Sequence, residues 1–478
     1  MNSDVMVISN SDPARLCAAS ARVSTTKGTA REIFETSNSQ ASNISLINKV
    51  IASGHDSIIE HAVFSLVFSN VSAIVEQFII GFRLASYTVK SRRYVNFGNT
   101  GFYTPDFSYS EHYATLKQNY NEHMGYLFSV YNQLISLGIN KEDARFVLPY
   151  CFYSNFYCTL NARELVHVVS SMLTDNMKSL GELYSLGTAI KTQVDKLAPY
   201  VSRLIEQRTN ERNTIIKSVD GAQMSILRKF TRINHVTPMC SLLSHSPNPG
   251  ECVAISKKMI STGIDYESAI NSYMMLDDAS KERLFAEIIE NEHARELEQA
   301  NFSFAIHNLS LAGLTHITRH RMQSIMIPDL FTLANVQNFI YPNFLNTEAK
   351  GLYFDCFQRN NEQITEMKKL GAYPQDLIYY YLSGNTVDLL ITTMNARSLL
   401  GFIRLRTCNR AQWEVREIAI SMLIQLRKVD SAFFSLYGPS CYVKCRCPEG
   451  RLQCGKIKEV REFFNKKNLH LVDHNTDN

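Results

Sequence analysis

The 478-residue chain repeats itself faintly. His55, Glu60 and Arg83 stand 238 positions before His293, Glu298 and Arg321, and Asn161-Ala162-Arg163 stands 234 positions before Asn395-Ala396-Arg397. Chance supplies one such pair. Four in order, each leading into a similar hydrophobic pattern, mark a tandem duplication followed by drift. The repeat narrows the possible folds, because whatever one half makes the other must approximate. The length suits two domains of about 200–250 residues each.

Within each half, helical periodicity dominates. Leu165, Val168, Val169, Met172 and Leu173 recur at helical spacing, as do Leu399, Phe402 and Ile403. The stretches AVFSLVFSNV from Ala62 and ANFSFAIHNL from Ala300 alternate as strands do before a turn. The polar stretch SHSPNPG, Ser244–Gly250, is expected to be the joint between halves. A formal net charge of +4 excludes the long basic stripe of a general nucleic-acid binder, yet it leaves room for local cationic pockets. No apolar run is long enough to span a membrane, and MNSDVMVISNSDPARL lacks the pattern of a secretory signal. Eleven cysteines without regular pairing fit reduced thiols in a cytoplasmic protein. There is neither a GxGxxG after a strand nor a GxxxxGK[ST] loop, so a ring cofactor must be held by scattered side chains.

Several clusters carry chemistry. In Arg319-His320-Arg321 two guanidiniums flank an imidazole, a surface suited to phosphate oxygens or an electron-rich ring. A lone triplet of this kind also reads as a solvated basic turn. Arg406 and Arg410 are four apart on one expected helix, and Arg406 follows Asn395 by about three turns on nearly the same face. Like charges at that spacing repel unless an anion lies between them, and Glu414 and Glu417 are near enough to supply it internally. The first half has Met172 where the second has Arg406. Ser91-Arg92-Arg93-Tyr94 offers a phosphate or pyrimidine cradle, or else an exposed basic loop. Arg145 is a single charge before an LPY turn. His55, Ser57, Glu60 and His61 (HDSIIEH) lack the i, i+4 histidine pair of a zinc helix, so capping and polar packing are expected there. Cys441, Cys445, Cys447 and Cys454 sit within 14 residues, but their CxC spacing departs from paired CxxC, and no metal is assigned.

Taken together, these segments resemble the flavin-dependent thymidylate synthases. That family's hallmark is RHR with a serine seven residues on, an upstream HxSxxEH, an ARxxLP segment and a downstream NAR…LR…AQWE helix. The first half carries HDSIIEH, GFRLASYTVKSRRY, ARFVLP and NAR; the second carries RHRMQSIMIPDLFT and NARSLLGFIRLRTCNRAQWE. The losses are complementary. The first half has Gly81-Phe82 for the initial Arg-His and Met172 for the helix arginine, but keeps Ser91, Arg93, Tyr94 and Arg145. The second keeps Arg319, His320, Arg321, Asn395, Arg397 and Arg406, with Asp329 for the serine, Phe331 for the loop arginine and Tyr379 at the position of Arg145. Val89, His316 and Arg410 also depart from the family pattern.

The resemblance implies an α+β protein: two tandem copies of this synthase fold, helix-rich with a small β-sheet in each. Residues 1–215 would supply the SxR loop and the ARxxLP arginine, and residues 216–478 the RHR triplet and the NAR-LR-AQWE helix. It implies reductive methylation of dUMP to dTMP, with methylenetetrahydrofolate giving the carbon and NADPH reducing FAD. Arg319, His320, Arg321, Asn395 and Arg397 then correspond to flavin contacts, joined by His55 and Ser57 from a neighbouring unit. Ser91, Arg93, Arg145, Arg319 and Arg406 correspond to dUMP contacts, Arg406 being the catalytic group that polarises the uracil. A homodimer would rebuild the family's tetramer, with composite sites and neither nucleic acid nor membrane as partner. The alternative is a degenerate, non-catalytic paralogue that binds nucleotide or flavin. Val89 and Asp329 favour it, and the complementary retention opposes it.

Overall fold

The computed structural model describes residues 2–10, 12–216, 233–291, 293–342, 346–465 and 469. The chain forms two compact units, one made of Met1–Thr231 with Gly351–Ser383, the other of Arg232–Lys350 with Gly384–Asn478. Both are α+β. Among the described residues no helix is long and apolar enough to cross a membrane.

The first unit holds a four-stranded antiparallel sheet of β1 (Asp4–Ser9), β2 (Val63–Ser72), β3 (Ala85–Val89) and β4 (Tyr153–Asn161), in the order β1-β2-β4-β3. Alternation along β2 buries Phe64, Leu66 and Phe68 on one face, as the sequence pattern requires. The second unit repeats the central antiparallel pair. Its strands are β5 (Asn234–His235), β6 (Met239–His245), β7 (Asn301–Ser310), β8 (Ser324–Met326), β9 (Asn335–Phe339) and β10 (Asn385–Asn395). They run β5-β9-β10-β7-β6, with β8 also on β10.

The duplication is visible bond by bond. Asn70 and Asn308 both break the strand with a positive φ, 51° and 55°, where asparagine is one of the few side chains that enter the left-handed region cheaply. Two residues on, Ser72 and Ser310 cap the helices Ala73–Ile80 and Leu311–Ile317. The cap N–H groups donate to buried carboxylates, Ser72 to Glu182 at 2.8 Å and Ser310 to Glu414 at 2.7 Å. Edge strands are knitted by matching glutamines. Gln193 accepts from Val7 N–H (2.9 Å) and donates to the Val5 carbonyl (2.8 Å), while Gln425 does the same to Leu242 (2.7 Å) and Cys240 (2.9 Å).

The compact units do not follow the order of the two copies. Residues 351–383 belong to the second copy by sequence but pack inside the first unit. There Tyr353 Oη–H donates to the Asp143 carbonyl (2.6 Å), and Asn360 bridges His123 Nε2 and the Tyr380 carbonyl, each at 2.9 Å. Two segments that correspond under the repeat meet each other directly: Tyr150 N–H donates to Tyr381 O (2.7 Å) and Ser383 N–H to Leu148 O (2.9 Å).

Two expectations change. Ser244–Gly250 is not a joint; it is the end of β6 and the turn into the helix Pro249–Thr262, inside the second unit. Arg410 does not share a helix with Arg406, because the helix Ala396–Arg406 ends there and Thr407 caps it.

Candidate functional site

In the first unit the SxR loop follows β3. Val95 N–H donates back to Ser91 O (3.0 Å), and Ser91 Oγ accepts the Arg93 N–H (3.3 Å), so the loop is wound around the serine. The two neighbouring arginines then part company. Arg92 is buried against the Glu76 carboxylate and lies over the Phe152 ring at 4.8 Å, which makes it structural. Arg93 pairs with Glu142 at 2.7 Å near the surface. Arg145 sits buried in a tight turn, where its Nε–H donates to the Glu142 carbonyl (3.0 Å). Burial pulls its pKa down to about 10; Glu142 opposes the shift, while Arg92 and Arg93 add to it. Ser91, Arg93 and Arg145 thus belong to one cationic corner, which a phosphate would stabilise. Glu142 completes this corner, and its place three residues before Arg145 was the only available sequence signal for it.

In the second unit the Arg-His-Arg triplet follows the helix Leu311–Ile317 and is held by the NAR helix. Arg406 Nε–H donates to His320 Nε2 at 2.8 Å, and its Nη2–H to the His316 carbonyl at 3.0 Å. His320 must therefore be neutral, with its proton on Nδ1; burial and the Arg406 charge lower its pKa to about 3. Phe402 meets the imidazole edge-on at 4.8 Å. Arg319 and Arg321 on either side are exposed. Asn395 caps its own helix through Ser398 N–H (2.8 Å), and its amide N–H2 has no partner among the described residues. Arg397 is tied to Glu298 at 2.6 Å, as its first-copy match Arg163 is to Glu60 at 2.7 Å. Glu414, offered by sequence with Glu417 as an anion near Arg406 and Arg410, is buried and accepts the Ser310 N–H. His55 and Ser57 lie exposed in the first unit, at the start of the short helix Asp56–His61.

The replaced positions have taken other work. Asp329 Oδ1 accepts the N–H groups of Phe331 (2.8 Å) and Thr332 (3.1 Å), so it caps its own turn. Tyr379 is buried in the first unit against Tyr103, its hydroxyl 3.4 Å from Glu182. Burial raises the thiols of Cys408 and Cys441, and neighbouring Cys447 and Cys454 raise them further. Among the described residues no group of three or more His, Cys, Asp or Glu side chains is placed to hold a metal ion.

Fold and residues define a class: a duplicated α+β protein with one half keeping a phosphate-type arginine corner and the other an Arg-His-Arg turn locked to a helix arginine. The family model described as thymidylate synthase complementing protein matches residues 6–200 and again 241–430. The chain belongs to this family of enzymes, the flavin-dependent thymidylate synthases, and carries its fold twice in tandem. It is similar to the flavin-dependent thymidylate synthase of Clostridium tetani, 31% identical over 47% of this chain and 95% of that protein. It is likewise similar to that of Geobacter sulfurreducens, 29% identical over 48% of this chain and 99% of that protein. One relative thus corresponds to about half of this chain. The solved structure of a UMP/dUMP methylase, PolB from Streptomyces cacaoi, bound with 5-Br dUMP, aligns with 43% of this chain and 95% of its own at 23% identity and a TM-score of 0.37.

Proposed function

We propose that the protein converts dUMP to dTMP, with FAD as cofactor and methylenetetrahydrofolate and NADPH as co-substrates, in composite sites built from residues of both halves. The observation that carries this reading is the division of labour. Each half retains the set that the other has lost, and each retained set is internally braced, Arg93 and Arg145 by Glu142 and Arg406 by His320. A decaying binding protein has no reason to keep one complete complement.

The residues fit the flavin. Arg319 and Arg321, the His320 Nδ1–H and the Asn395 amide N–H2 are all donors, and a flavin with its pyrophosphate presents mainly acceptors. Bound there, the flavin supplies the hydride for the transferred one-carbon unit. The chain's own residues do the rest. Ser91, Arg93 and Arg145 bind the nucleotide phosphate, with Arg319 reaching it from the other half. Arg406 polarises the uracil carbonyl and stabilises negative charge on the ring. Neutral His320 keeps the Arg406 guanidinium in place without adding a second positive charge that would repel it. His55 and Ser57 touch the flavin from a neighbouring unit. A homodimer acting as a pseudo-tetramer supplies these neighbours; the direct pairing of Leu148–Tyr150 with Tyr381–Ser383 supports contact between matching parts of the two copies. The eleven free thiols support a reducing, cytoplasmic setting.

Tritium release from 5-tritiated dUMP, with dTMP followed in parallel, tests the proposal. Wild-type protein loaded with FAD should release tritium and form dTMP, and Arg406→Ala should lower kcat by roughly 10²–10³-fold. A folded, flavin-loaded wild type with neither tritium release nor dTMP would overturn it in favour of a non-catalytic nucleotide- or flavin-binding paralogue.

A further inference from the structure

The first copy has lost its Arg-His pair, yet its NAR helix does not face a filled space. A cleft of about 550 Å³ lies against the helix Ala162–Met172, at the positions matching Asn395 and Arg397. Its far wall is the helix Pro199–Ile216. At the corresponding place in sequence the second copy has the short helices Ser431–Phe434 and Ser440–Val443 in place of one long helix.

Charge in the cleft is unevenly satisfied. Arg163 pairs with Glu60 (2.7 Å) and Asp56 (3.6 Å); Arg208 pairs with Glu211 (2.8 Å) and Asp56 (3.6 Å). Arg212, also lining the cleft, has no carboxylate within 4 Å among the described residues. It follows Arg208 by one helical turn, a spacing at which like charges repel. Partial burial, with Arg208 adding to it, lowers its pKa. Arg212 in turn opposes protonation of His167, whose ring is already partly desolvated and has Glu164 at 3.7 Å. Asn161, Glu164 and Ser170 add polar lining, and Leu84, Val166 and Leu204 form an apolar strip. Phe82, which stands where the triplet histidine would be, packs edge-on against His167 at 5.2 Å. Asp56 and Glu60 are held by Arg163 and Arg208, and Glu164 faces His167, so the Arg212 guanidinium at the end of the cleft is a place for an anion brought by a ligand.

We propose that this cleft binds a small phosphate ester, of mononucleotide size, distinct from the dUMP and flavin of the composite site. The phosphate sits on Arg212 with Arg208 beside it, and the organic body lies along Leu84, Val166 and Leu204 under the His167 ring. The duplication would then have turned one former flavin face into a second ligand site, while the other face stayed with the cofactor.

Isothermal titration of the full-length protein with inorganic phosphate and with AMP tests this. Wild type should bind both, AMP more tightly because its body meets the apolar wall. Arg212→Ala should weaken this binding at least tenfold. Arg212→Glu should abolish it while raising the thermal midpoint, because Arg208 gains a carboxylate four residues away. Arg93→Ala removes any phosphate bound at the other cationic corner, and the Arg212-dependent part of the binding should persist in it. Superimposable isotherms for wild type and Arg212→Ala would overturn the proposal, as would loss of the Arg212-dependent binding in Arg93→Ala. AMP binding no tighter than phosphate would overturn the assignment of an organic body.

Discussion

Arg92 sits between two residues proposed to bind nucleotide, yet its surroundings give it a different task, and the two roles predict opposite behaviour. Its guanidinium is 6% exposed and its partner Glu76 only 1%. Arg92→Met keeps much of the packing on Phe152 but strands the Glu76 carboxylate in the interior, with the Ser154 hydroxyl as its remaining donor. Removing one member of a buried ion pair costs about 3–5 kcal/mol. For a unit of this size each kcal/mol is worth roughly 2–4 °C, so the first unit should melt some 6–20 °C lower. Differential scanning calorimetry measures this directly, with hydrogen exchange along β4 reporting which unit has weakened. In Glu76→Leu/Arg92→Met both charges leave together, and most of the loss should return, because an apolar pair of similar volume avoids the desolvation cost. If Arg92→Met costs less than about 1 kcal/mol, or the double variant is no better than the single, the buried pair is not what holds this corner.

Gln193→Ala and Gln425→Ala each leave a strand N–H without its acceptor, so each should cost about 1–3 kcal/mol, read as faster amide exchange at Val7 and Leu242 respectively. Asn308→Ala should destabilise the second unit by about 1 kcal/mol through its left-handed φ, whereas Asn308→Gly should be close to neutral in urea unfolding. Stability should fall with acid. The pKa of His123 is lowered to about 4, by burial first and Arg359 second against the Asn360 bond, and that of His320 to about 3. Their folded forms therefore bind fewer protons than the unfolded chain below pH about 6.5, and stability drops from there towards pH 4. His123→Gln should flatten that slope, and an unchanged slope would mean that other groups set it.

Much of the fold was legible because local rules and the repeat agreed. The alternation in AVFSLVFSNV and ANFSFAIHNL became β2 and β7, and Leu165, Val168, Val169 and Met172 became the buried stripe of a helix. The triplet and Arg406 could be picked out by residue type, but not the bond between Arg406 and His320, since a contact across 86 positions leaves no periodic trace. Arg92 and Arg93 look alike in sequence; only the depth of Glu76 separates them. SHSPNPG carries turn chemistry, which a strand-to-helix turn needs as much as a joint does. Arg410 was misplaced because helical spacing continues past Arg406 although the backbone does not.

The packing of residues 351–383 within the first unit also sets a schedule for synthesis. When the ribosome has completed residue 231, that unit still lacks the backbone partner of Tyr150, the side chain that engages His123 and the helix that covers Asp143. These arrive only after most of the second unit's first stretch has been translated. At about 5–20 residues per second the wait is roughly 8–30 s, a long interval for an unfinished apolar surface to remain in the cell. A gene split at the repeat boundary would extend that wait until two separate chains met. Fusion makes the late segment's local concentration independent of expression level, which is a reason for two diverged copies to stay in one reading frame.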